Sequence, residues 1–154
     1  MNVELPQSLS DVDAGVALSF LGFTVGSYGY SAAAAQFYRS ISDGRFKLPY
    51  CATCDTYQHP RREICPQCLS TDLLLTPTST QGELYSFSVM HSSPFDELQA
   101  ELPYAVGIVT LGCGVALFGR LDADVEQLHI GDRFELNVGS SAEGIHFVPA
   151  GGEN

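Results

Sequence analysis

Four of the chain's five cysteines stand between residues 51 and 68, as two CxxC pairs: Cys51 with Cys54, and Cys65 with Cys68. Ten residues separate the pairs. This spacing predicts two rubredoxin-like knuckles whose turns aim all four sulfurs at one tetrahedral ion. Four thiolates leave no open coordination position, which suits a closed structural zinc site. Iron fits the same cage and would imply electron transfer, but nothing else in the chain points to a redox partner. Disulfides would need an oxidising compartment, and a thioredoxin-type CxxC would follow a strand at a helix N-terminus; neither context is visible. Knuckles of this kind usually carry glycine just after the second cysteine, where the backbone turns left-handed. Here Asp55 and Leu69 stand there. Aspartate tolerates that conformation and leucine resists it, so the second turn is expected to differ in shape from the first.

The charge distribution suggests a second structural unit beside this lobe. The chain has 154 residues and a formal net charge of −11, yet five of its seven cations lie between residues 31 and 75. Arg39, Arg45, Lys47, Arg61 and Arg62 make that stretch slightly positive, while residues 76–154 hold only Arg120 and Arg133 against eleven acids. Two electrically different halves favour two structural units. The expected division is an apolar N-terminal arm over 1–30, a helix and zinc ribbon over 31–75, and a β domain over 76–154.

The N-terminus has early acids (Glu4, Asp11, Asp13) and no basic segment before its apolar stretch, so it does not read as a signal peptide. Residues 14–38 are uncharged, long enough on paper to cross a bilayer. Their glycines, serines and tyrosines argue instead for a buried segment, or for an arm packed on a partner subunit. The expected location is cytoplasmic, with no membrane association.

"SAAAAQFYRSISDGRF" (31–46) reads as a helix, capped by Ser31 and ended by Gly44. "LLLTPTSTQG" (73–82) reads as a strand end and linker. Short β-forming runs follow at 83–91, 104–111, 115–121, 133–139 and 144–149, with turns at "LGCG" and "HIGD". Five short strands over some seventy residues predict a small barrel of the OB type, with a sandwich as the alternative. The fold class is therefore mainly β: a helix and ribbon, then a five-stranded barrel.

The loop between the cysteine pairs carries Tyr57, His59, Arg61 and Arg62. With Arg39, Arg45 and Lys47 it offers either a solvated surface or an electropositive patch for phosphates or an acidic partner. Cys113, the one spare thiol, lies in a predicted turn with no base near it in sequence, and the four histidines show no metalloenzyme spacing. No constellation for independent catalysis emerges. OB barrels and zinc ribbons also bind nucleic acids, and Tyr85, Phe87, Tyr104 and Phe118 could supply stacking. The acidic barrel half lacks the cationic floor such binding needs, so no nucleic-acid partner is expected.

The order "DGRFKLPYCATCDTYQHPRREICPQC", "QGELYSFSVMH", "LPYAVGIVTL", "IGDRFELNV" and "HFVP" resembles the zinc-ribbon plus OB-fold proteins that accompany acyl-CoA enzymes. The resemblance covers about residues 31–150 and departs from the usual pattern at the missing knuckle glycines. It implies a non-catalytic small subunit whose ribbon docks on a thiolase-like enzyme, or on an acyl-CoA hydratase, and helps shape or cover its acyl-CoA site. It also implies zinc on the four cysteines and a coenzyme A thioester as ligand of the complex.

Overall fold

In the computed structural model the described residues are 19–20, 23–24, 37, 40–41, 43–60, 62–94, 96–139 and 144–151. Most of the expected N-terminal arm, Ser31, Tyr38, Arg39 and Arg61 lie outside them. Two short strands, β1 (Ser19–Phe20) and β2 (Phe23–Thr24), pair antiparallel. No helix among the described residues is long and apolar enough to cross a membrane.

Phe37, Ser40 and Ile41 have helical backbone. That helix ends as its sequence suggests. Gly44 adopts φ +67°, its N–H donates to the Ile41 carbonyl, and Arg45 N–H donates to the Ser40 carbonyl. The remainder of the helix expected over 31–46 falls on residues outside the description.

The ribbon sheet has the order β4 (Thr56–Tyr57), β3 (Lys47–Cys51), β5 (Leu73–Pro77), all antiparallel. The leucine run that reads as a strand end is thus a full edge strand of the ribbon, paired from Lys47↔Pro77 to Cys51↔Leu73.

The barrel closes through β6 (Gln81–Met90), β7 (Tyr104–Leu111), β8 (Ala116–Leu121), β9 (Arg133–Leu136) and β10 (His146–Pro149), in the order β10-β8-β7-β6-β9. The five predicted strands are the five found, and the barrel rather than the sandwich is their arrangement. Alternation explains the core: Ala105, Val109 and Leu111 of β7, Leu117 and Leu121 of β8, and Phe134 and Leu136 of β9 point inward and are buried. Tyr85 is left exposed where β6 bulges between Leu84 and Ser86.

The core is not confined to the barrel. Phe37, Ile41, Phe46 and Leu48, all from the ribbon half of the sequence, belong to the same buried cluster as Leu84, Phe134 and Phe147. Gly139 N–H donates to the Ile41 carbonyl across the same boundary. A second small cluster, Leu98, Tyr104 and Val106, forms where the helix Asp96–Gln99 packs on the outside of β7. Arg120 ties it down, pairing with Glu101 and Asp122 and lying 5.0 Å from the centre of the Tyr104 ring.

Candidate metal centre

Each CxxC pair sits where a strand or loop enters a tight turn. Cys51 ends β3, and Asp55 N–H returns to the Cys51 carbonyl at 2.9 Å. In the second knuckle Leu69 N–H returns to the Cys65 carbonyl, also at 2.9 Å. Asp55 has φ +56° and Leu69 φ +61°. The expected difference between the turns is therefore absent. The same backbone hydrogen bond and the same need to converge two sulfurs impose one conformation on both, and leucine accepts it. Left-handed backbone costs a residue with a Cβ about 1–2 kcal/mol. Leu69→Gly is accordingly expected to stabilise the metal-loaded ribbon by about 1 kcal/mol, read as a higher chelator or denaturant midpoint. An unchanged or lower midpoint would mean the turn is unstrained.

The four sulfurs of Cys51, Cys54, Cys65 and Cys68 all lie within 4.8 Å of one another. Cys51 Sγ is 3.5 Å from Cys68 Sγ, and Cys54 Sγ is 3.6 Å from Cys65 Sγ. Disulfide sulfurs sit about 2.05 Å apart, so these are free thiols. A tetrahedral zinc ion with bonds of about 2.3 Å places its sulfurs about 3.8 Å apart, close to what the cluster shows. The residues present therefore fit zinc, with two ligands buried and two half-buried.

The surroundings favour the thiolate at Cys51 and Cys65 and disfavour it at Cys54 and Cys68. Backbone N–H groups of Cys68 and Gln67 point at Cys65 and lower its pKa to about 6 against the effect of burial. Cys68 goes the other way. Although the Ser70 N–H favours its thiolate, burial and the other three sulfurs push it up to about 12. Four thiols this close cannot all ionise without a cation among them, and a divalent ion removes that obstacle. The Thr56 hydroxyl lies 3.0 Å from Cys54 Sγ and braces it.

The other sequence-predicted site residues separate into two groups. Arg45 and Arg62 are exposed and Lys47 is half-buried; none forms an ion pair among the described residues. Tyr57 and His59 are used in the lobe's own structure. The Tyr57 ring packs 5.1 Å from that of Tyr50, and its hydroxyl donates to the Pro77 carbonyl. The His59 ring lies 4.5 Å from that of Phe37, its Nδ1 is buried without a hydrogen-bond partner among the described residues, and burial pushes its pKa down.

A histidine with a depressed folded pKa contributes stability that is present above its unfolded value, about 6.5, and lost as pH falls through the folded one. Between pH 7.5 and 5.5 the melting temperature of the zinc-loaded protein is therefore expected to fall more steeply than that of His59→Phe. Parallel curves would show that His59 is not held neutral.

Sequence reasoning missed the apolar surface beside the site. Ile64, Leu69, Leu74 and Leu75 are large and exposed. The run Leu73–Leu75 was a visible signal, but only the sheet order shows that it forms an edge. Cys113 packs against the core, while His129 Nδ1 faces the Gln127 carbonyl and His146 Nδ1 faces Asp122.

Residues 41–73 match the rubredoxin-like zinc ribbon domain of ChsH2, and residues 76–139 match its C-terminal OB-fold domain. The chain belongs to the ChsH2 (DUF35) family of zinc-ribbon and OB-fold proteins. Among its relatives is a DUF35 domain-containing scaffold protein of Methanocaldococcus jannaschii, 34% identical over 55% of this chain and 61% of that protein. The chain thus spans about three-fifths of that relative's length. The benzoylsuccinyl-CoA thiolase subunit BbsA of Thauera aromatica is 28% identical over 70% of this chain and 75% of that protein. A probable enoyl-CoA hydratase alpha subunit of Thermomonospora curvata is 32% identical over 56% of this chain but 27% of that protein. The solved Ltp2-ChsH2(DUF35) aldolase superposes with TM-score 0.68 at 26% identity, covering 80% of this chain and 98% of the other. For a DUF35 protein, then, the four-cysteine cluster is the metal site of the ribbon, and the described barrel is its OB domain.

Proposed function

We propose that this chain is a non-catalytic, zinc-binding subunit of a cytoplasmic acyl-CoA-processing complex. Its ribbon docks on a thiolase-type partner and helps form or cover that partner's acyl-CoA site. Carbon–carbon bond cleavage or formation takes place on the partner. The observation that carries this reading is the likeness to a benzoylsuccinyl-CoA thiolase subunit over more than two thirds of the chain. That likeness also makes an acyl group from aromatic-compound degradation the first substrate to try.

The electrostatics agree. Arg45, Lys47 and Arg62 lie without ion partners among the described residues, in an otherwise acidic chain. Together with Arg39 and Arg61 they suit coenzyme A phosphates or partner carboxylates. His59 packs on Phe37, where burial disfavours its charged form, and so suits a phosphate less well than the arginines. Replacing Arg61 and Arg62 together by alanine is expected to weaken acyl-CoA affinity of the complex about tenfold or more. Unchanged affinity and unchanged assembly, both measured by calorimetry, would remove these two residues from the site.

An accessory role on an acyl-CoA hydratase is the second reading, favoured by the hydratase relative. A nucleic-acid role is less favoured. Tyr85 and Phe118 are exposed, but Tyr104 is covered, and Arg120 is engaged by Glu101 and Asp122. Pull-down of the tagged chain from its native host, with mass spectrometry of the stoichiometric partner, separates the three. A thiolase-type protein supports the main reading, a hydratase the second, and RNA the third.

A further inference from the structure

We propose that the edge strand β5 and the second knuckle turn are the strip on which the partner docks, and that the occupant is an extended apolar segment of the thiolase-type subunit flanked by carboxylates. The inference rests on the reading above and adds where and how the contact is made.

Among the described residues, four of the seven exposed large hydrophobic side chains fall within this one small lobe: Ile64 at 51%, Leu69 at 76%, Leu74 at 58% and Leu75 at 42% exposure. Successive residues of a strand point to opposite faces, so β5 presents leucine on both sides. β5 is also the outer strand of its sheet, with β3 as its only strand partner among the described residues. Exposed edges are usually protected by an inward charge, a bulge or a covering element. β5 has leucines along it and Pro77 at its end.

Leu69 adds an independent argument. It occupies a left-handed position that glycine would fill more easily, and it takes no part in the core formed by the described residues. A large apolar side chain held there in solvent has an outward use.

Charge and shape specify the occupant. A shallow groove of about 210 Å³ is lined by Pro49, Leu73, Leu74 and Leu75 together with Arg62, Glu63 and Thr71. Lys47 is two residues from Pro49 on β3 and shares its face. Neither Lys47 nor Arg62 has an ion partner among the described residues. The groove is smaller than the roughly 300–1,000 Å³ of a ligand pocket, so it suits one or two side chains of an added strand, with carboxylates meeting Lys47 and Arg62.

The test uses the full, zinc-loaded chain and the thiolase-type subunit that it retrieves from the native host. Leu74→Lys with Leu75→Lys is expected to weaken that association by about tenfold or more. Leu69→Gly is expected to weaken it as well, without lowering the melting temperature, which separates lost docking from lost folding. Ile130→Ser, an equally exposed change on the barrel, leaves it unaltered. A thiolase-type subunit bound equally well by the β5 and Leu69 variants overturns the strip while the reading of function stands. If the wild-type chain retrieves no thiolase-type subunit, both fall. A wild-type dimer that these variants dissociate, with no enzyme captured, overturns the enzyme occupant in favour of a second copy.

Discussion

Replacing Cys65 and Cys68 together by serine will remove zinc and partner binding in one step. Elemental analysis is expected to fall from one zinc per chain to none. The reason is energetic. Structural zinc contributes on the order of 10–16 kcal/mol of apparent binding energy to small ribbons, comparable to or larger than the stability of a whole domain. The knuckle conformation, with Asp55 and Leu69 both left-handed, is otherwise held by single backbone hydrogen bonds to Cys51 and Cys65, each contributing about 1 kcal/mol. Without the ion the four sulfurs must also share protons in a space under 5 Å across. Partner binding at wild-type affinity by a metal-free variant would sink the docking role of the ribbon.

Phe147→Ala is expected to cost about 3–5 kcal/mol and to lower the melting temperature by roughly 10 °C. Phe147 is fully buried in the strand that closes the barrel. β10 pairs parallel with β8, placing Phe147 opposite Leu121, and antiparallel with β9, placing it opposite Leu136. Its ring fits because residue 119 is glycine. A Cβ there would come within 2.5 Å of the Ile145 carbonyl oxygen and 3.0 Å of the Phe147 ring. Val148→Ala, on the adjacent half-buried position, is expected to shift the melt far less. Equal shifts would show that closure does not depend on the Phe147 ring.

The metal site was legible because its information is local. Two CxxC pairs place four sulfurs by turn geometry alone, whatever the lobe packs against. The barrel strands were legible by alternation: "RFELNVG" already separates Phe134 and Leu136 from its polar face, and both prove buried. The end of the first helix was legible at Gly44. The boundaries were less so. The run at 133–139 forms a strand only to Leu136, and β6 begins at Gln81, because ladder pairing with neighbours sets where a strand starts and stops. Leu69 misled in the other direction. Its intrinsic reluctance argued for a different turn, and the backbone hydrogen bond to Cys65 overrode it.

By itself, then, the sequence determined the four-thiolate centre, the five-strand barrel and the unequal charge of the two halves. These follow from residue spacing, period-two alternation and composition, which need no knowledge of distant contacts. The tertiary structure alone decided that Phe46 and Leu48 join the barrel's core, that His59 packs against Phe37 where burial pushes its pKa down, and that β5 lies at an edge with Leu74 and Leu75 in solvent. Each of these depends on which remote segment covers a side chain, and burial is a property of the packed chain rather than of any stretch within it.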